Sequence, residues 1–224
     1  MVNILMEEQD KTNIRKRTSG KIKDKERTKN RMIQAVGKVI LKKGYTGLNA
    51  TAIAKEAGVD KSLVWAYFGS LDNLVEIYIL QRDFLNSIAK GSINYILTED
   101  DGVSSKAISA LLHDQFNTLM DDKILQKIIH WEIGENKVFL RNLADKREEI
   151  GEAFFKIAEP KFTNSTVDLR GTLALLIAGI YYLALHGKAN GSLFCGIDVN
   201  EPEGKERIDQ VITYLIEQLF KEVQ

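Results

Sequence analysis

The chain has 224 residues, 44% of them hydrophobic, which is enough apolar material to fill a core and argues against a disordered chain. Two prolines and 16 scattered glycines suit long helices, and the regular turn signals of an all-β protein are few. The 31 Lys/Arg and 31 Asp/Glu cancel in sum only: residues 1–70 hold 15 basic and 7 acidic side chains, residues 71–224 hold 16 and 24, so a basic module fit to approach phosphates precedes an acidic body.

Cys195 stands alone, which excludes an internal disulfide, and the N-terminus lacks the basic start and apolar run of a secretion signal; a cytoplasmic protein is expected. The longest apolar stretch, Leu173 to Leu185, makes about 20 Å of helix, short of the roughly 30 Å hydrocarbon core, so a buried helix and no membrane contact are expected.

Residues 1–20 change from acidic (Glu7, Glu8, Asp10) to basic (Arg15, Lys16, Arg17) with little apolar periodicity and read as a flexible basic arm. From Asp24 the pattern is helical: Met32, Ile33, Val36, Val39 and Ile40 share one face, and Gly44 after Lys42 and Lys43 is a stop. Two short helices follow, Ala50–Ala57 capped by Asn49 and Lys61–Tyr67 capped by Asp60, with Gly58 and Val59 as the turn between them. A longer helix opens near Ser70, with Asn73 where a capping box has Glu, and runs to about Ser92. Beyond a polar loop at Thr98–Val103, helices are predicted at Ser104–Met120, Lys123–Gly134, Val138–Ala158 (stopped by Pro160), Thr166–Ser192 and Pro202–Glu222. The expected domains are therefore 1–20, 21–69 and 70–224.

The segment AIAKEAGVDKSLVWAYF, residues 52–68, carries the most information. Ile53, Ala57, Val59, Val64 and Phe68 can converge when two short helices cross around a glycine turn, and Ile33, Val36, Ile40, Tyr45 and Leu48 close the other side. Packing those positions turns Lys61, Ser62, Trp65, Ala66 and Tyr67 outward on a helix sized for a major groove about 12 Å wide. The run from Met32 to Leu74 resembles the DNA-binding domain of the TetR family: an apolar helix ending in Gly-aromatic, then IA-x-x-AGV, aromatic-x-Tyr-Phe, and a Leu six residues later.

The resemblance implies that Thr51, Lys61, Trp65 and Tyr67 approach phosphates or base edges. Trp65 stands where the family often has Tyr, Ala66 where it often has His or Arg, and Leu71 where it usually has a phosphate-binding Lys. Ala66 and Leu63 can offer apolar contact to a thymine methyl. Basic residues of the arm and first helix, among them Lys21, Lys23, Arg27 and Lys29, can compensate at phosphates or in the minor groove. The candidate DNA-contact set is thus Lys23, Arg27, Asn49, Thr51, Lys61, Ser62, Leu63, Trp65, Ala66 and Tyr67.

One short helix reads too few base pairs, so a homodimer on a palindrome is expected. The stripe Ile208, Val211, Ile212, Leu215, Ile216, Leu219 and the small-residue face Gly171, Ala174, Ala178 place its interface on the last two helices. His113, Phe116, His130, Trp131 and Tyr182 are the candidate lining of a small-molecule site, an apolar wall with a few polar atoms. The family resemblance implies a repressor that such a ligand releases, the helix from Ser70 linking ligand domain to reading head. No Ser-His-Asp spacing, glycine-rich phosphate loop or Cys/His metal spacing occurs, so no enzyme, cofactor or metal is expected. The expected protein is all-α with about nine helices, an N-terminal three-helix helix-turn-helix domain and a C-terminal helical ligand-binding and dimerisation domain. The alternative is a DNA-binding architectural protein that answers to no ligand.

Overall fold

The computed structural model describes residues 15–82, residue 91 and residues 103–223, with side chains from residue 23 onward. Among them are nine α-helices, two 3-10 turns and no strand beyond an isolated Phe194–Ile197 bridge, which bears out the all-α expectation. The helices are α1 Arg15–Lys43, α2 Ala50–Ala57, α3 Ser62–Phe68, α4 Leu71–Gln81, α5 Ser105–Asp121, α6 Lys123–Gly134, α7 Val138–Ala158, α8 Leu169–Asn190 and α9 Pro202–Lys221. The expected loop at Thr98–Val103, save Val103, and the end of the helix near Ser92 lie outside the described residues.

Two departures from the sequence expectation have simple causes. Helix α1 starts at Arg15, so residues 15–20 are helical; Lys and Arg are good helix formers, and an exposed helix carries no apolar period to announce it. The remaining arm, residues 1–14, lies outside the described residues. The chain divides after Ile79 instead of after residue 69, because Leu74, Val75, Tyr78 and Ile79 of α4 are buried in the first unit.

That first unit is a small core closed by backbone chemistry. Met32, Val36, Ile53, Val64 and Leu74 are wholly removed from solvent. Gly44, at φ 70°, ends α1 by donating its N–H to Ile40 O at 2.9 Å. Gly37 is required by close approach: a Cβ there would lie 2.0 Å from the Tyr78 hydroxyl oxygen, so its absence lets α4 seat on α1.

In the second unit α5 is central and packs against α6, α8 and α9. Ile108, Leu112, Phe116 and Leu119 on it are at most 1% exposed. Helix α5 and its neighbours α6 and α8 are started by side chains: Ser104 Oγ accepts from Ala107 N, Asp122 Oδ1 from Ile124 N and Leu125 N, and Asp168 Oδ1 from Gly171 N. Pro160 falls in the 3-10 turn after α7, and Pro202 begins α9. Helix α8, at 22 residues, extends past the apolar run read from the sequence and is long and apolar enough to cross a membrane by length and composition. Here its Leu173, Ile180 and Ala184 lie in the core around α5.

Candidate nucleic-acid interface

Helices α2 and α3 are held in place by four devices, three of them local. Asn49 Oδ1 accepts from Ala52 N at 2.8 Å, capping α2. Gly58, left-handed at φ 63°, closes it, with Gly58 N donating to Lys55 O and Val59 N to Ala54 O. Arg31 of α1 then donates from Nη2 to the carbonyls of Ala57 and Gly58, fixing the last turn of α2 to the first helix. Asp60 Oδ1 accepts from Ser62 N at 2.8 Å and from the Ser62 hydroxyl, which starts α3. The Ser62 hydroxyl and then its N–H hold the Asp60 carboxyl below the usual carboxylate range.

After α3 the chain bends by 65° into α4. Asn73, in the place of the capping-box Glu, donates its N–H to Ser70 Oγ and reaches back with Nδ2 to Phe68 O at 3.0 Å. The reading helix is therefore anchored at both ends.

Anchoring determines what it shows. Val64 is buried and Phe68 only 8% exposed, while Lys61, Ser62 and Ala66 are exposed and Trp65 presents 53% of its surface. Tyr67 and Leu63 are half-buried, with the Lys25 ammonium 5.4 Å over the Tyr67 ring. Thr51 is exposed on the first turn of α2. Asn49 is also exposed, but its amide is engaged at both ends, accepting from Ala52 and donating to Gly47 O, so capping is the role visible for it. Lys23 and Arg27 are exposed on α1; Lys29 pairs with Glu26 at 3.2 Å. The side chains of Arg15, Lys16, Arg17 and Lys21 lie outside the described residues. Sequence reasoning missed Arg31 as the clamp on α2 and Lys25 as the partner of Tyr67, for neither long-range contact has a local signature.

The five residues expected to line a ligand site occupy different surroundings. Phe116 is fully buried at the centre of the second unit. Trp131 is buried edge-on to Phe139, and His130 beside it is exposed. Tyr182 is 54% exposed and stacks on His186. His113 faces α9, donating from Nε2 to Asp209 O at 3.0 Å, in an open groove of about 310 Å³ that also includes Glu206, Thr213 and Glu217. Glu132, next to Trp131 on α6, pairs with Arg147 at 2.7 Å. The unit expected to bind the small molecule includes residues 83–90 and 92–102, which lie outside the described ones. Among the described residues no group of three or more His, Cys, Asp or Glu could hold a metal.

Two short helices joined around a left-handed glycine, with an aromatic rod outward and a basic first helix alongside, define a helix-turn-helix protein. Residues 33–77 match the family model described as bacterial regulatory proteins, tetR family. No curated protein sequence matches the chain. Solved structures share its fold: FadR of Bacillus subtilis in complex with stearoyl-CoA aligns at 17% identity and TM-score 0.56, over 87% of this chain and 98% of that one. NalD, the secondary repressor of the MexAB-OprM multidrug efflux pump in Pseudomonas aeruginosa, aligns at 17% and 0.56 over 89% and 97%. A TetR family regulator from Marinobacter aquaeolei aligns at 13% and 0.59 over 89% and 97%.

Proposed function

We propose that this chain is a dimeric, cytoplasmic repressor that reads a palindromic operator through α3 and is released by a small apolar ligand. The observation that carries the reading is the α3 rod itself: Val64 and Phe68 are locked inward while Trp65 stands out of a head with eight more basic than acidic side chains. Lys61 and Thr51 supply phosphate contacts at its edges, and Trp65, Ala66 and Tyr67 face base edges and thymine methyls.

Pairing of two copies is supported by a second apolar face on α8 and α9. Ile212, Ile216 and Leu219 point into the core, whereas Leu175, Tyr182, Val211, Tyr214 and Leu215 are 40–77% exposed. Such side chains on two adjacent helices in sequence are the material of a four-helix interface. The acyl-CoA bound by the Bacillus subtilis relative makes a long acyl thioester the first ligand class to test.

The test begins with selection of bound duplexes from a random DNA pool; a palindrome is expected, and enrichment of no sequence would remove the DNA-reading assignment. Operator affinity is then titrated with stearoyl-CoA and an acyl-chain series. Release requires the ligand to favour the DNA-incompetent state, with a typical coupling of about 1–3 kcal/mol, roughly 5–150-fold in affinity. Ligands that bind and leave operator affinity unchanged would favour the ligand-independent alternative.

A further inference from the structure

The first unit has an open groove of about 600 Å³ between α1 and the last turn of α2. Its wall on α1 is a stripe of Lys23, Arg27, Arg31 and Lys38, with the amides of Asn30 and Gln34 interleaved. From Lys23 to Lys38 the stripe runs about 22 Å at 1.5 Å per residue, the length of about six nucleotides at 3.4 Å each. Two acids share the groove and both are already engaged: Glu26 by Lys29 at 3.2 Å, and Glu56 by Lys42 at 2.7 Å with Lys38 at 3.9 Å. Lys23 and Arg27 make no ion pair among the described side chains, and Arg31 spends only Nη2 on the α2 carbonyls.

The groove meets the helix-turn-helix at Arg31, which lines it and grips the turn from which α3 departs. Lys25, on the other face of α1 from Lys23 and Arg27, lies over Tyr67 of α3. We infer that this groove is a second DNA contact, a phosphate track that takes one strand of the duplex flanking the palindrome. The inference rests on the operator reading above and extends it: α3 supplies sequence, while Lys23 and Arg27 supply affinity that depends on DNA length and salt but not on base identity.

The experiment compares two duplexes carrying the selected palindrome, one ending flush with it and one extended by about ten base pairs on each side. Affinity is measured by fluorescence anisotropy across a salt series. Two phosphate contacts per protomer steepen the plot of log affinity against log salt by about 1.8 per protomer on the extended duplex. The Lys23→Gln/Arg27→Gln variant is expected to lose that difference between duplexes. Glu56→Gln, which frees Lys38 and Lys42, should steepen the slope on the extended duplex. Both Lys23 and Arg27 are exposed, and circular dichroism verifies that the variant stays folded. Equal wild-type slopes on the two duplexes, or a variant that keeps the flank's advantage, would overturn the track while leaving the α3 reading standing. Failure to bind either duplex at low salt would remove both.

Discussion

Trp65 is the residue on which the operator reading turns, and its exposure makes it a clean probe. Its indole projects from a rod whose fold is secured by Val64 and Phe68, so Trp65→Ala should leave the melting temperature nearly unchanged. Operator affinity should fall by roughly 1–3 kcal/mol, about 5–150-fold, in anisotropy titrations. An unaltered affinity would show that α3 does not read bases. Tyr67→Ala should weaken binding too, at some cost in stability, since the ring is half-buried under Lys25. The sequence made the outward set visible because the spacing of Val64 and Phe68 fixes which side is inward. It did not separate Asn49, a cap, from Thr51, an exposed side chain one residue into the helix, because capping and phosphate contact favour the same short polar residues.

Arg170 offers a pH test at the same scale. Its guanidinium donates to Glu159 from Nε at 2.6 Å, pairs with Glu152 and lies 4.3 Å over the Phe155 ring, joining α7 and its following turn to α8. Hydrogen bonds from Arg170 hold both glutamates below their usual range. A depressed carboxylate contributes stability above its unfolded pKa and loses it as pH falls through the folded value. The wild-type melting temperature should therefore drop as pH falls below the ordinary glutamate range, and Arg170→Met should flatten that part of the profile. A variant with the same acid slope as wild type would assign the loss to other carboxylates.

At the scale of elements, most helices were legible because each has a buried stripe and a chemical start or stop. The predicted Ala50–Ala57, Lys123–Gly134 and Val138–Ala158 coincide with α2, α6 and α7, bounded by Asn49, Asp122 and Pro160. Helix α1 was read short, since a polar helix face is silent in hydropathy, and the unit boundary was placed early because periodicity does not say which core a helix joins. The seat of α4 on α1 was equally hidden, resting on one absent Cβ. Gly37→Ala forces that atom into Tyr78 and should destabilise the first unit by about 1–3 kcal/mol. Thermal and urea melts measure it, and a neutral result would mean that α4 can shift freely on α1. The ligand set was the least legible: aromatic and histidine content marks core and pocket alike, and the structure distributes Phe116, Trp131, His113 and Tyr182 among separate surroundings.

For the whole molecule, the proposed pairing makes a measurable demand. Leu175, 77% exposed on α8, and Val211, 51% exposed on α9, point away from the core of their own chain. Leu175→Glu/Val211→Glu should preserve the helical spectrum while shifting sedimentation from dimer to monomer at micromolar concentration, and operator affinity should collapse with it. A wild-type chain that sediments as a monomer would end the proposal. The uneven charge adds a kinetic expectation: a basic head on an acidic body orients the approach to DNA, so association should slow steeply as salt rises.

The chain has two tryptophans, and the fold gives them opposite environments: Trp65 in water on α3, Trp131 enclosed at 6% exposure on α6. Their emission is consequently separable by colour and by quencher, the red indole reporting on the head and the blue one on the body. Unlabelled protein thus contains its own pair of optical gauges, by which a duplex and an inducer can be followed in a single cuvette.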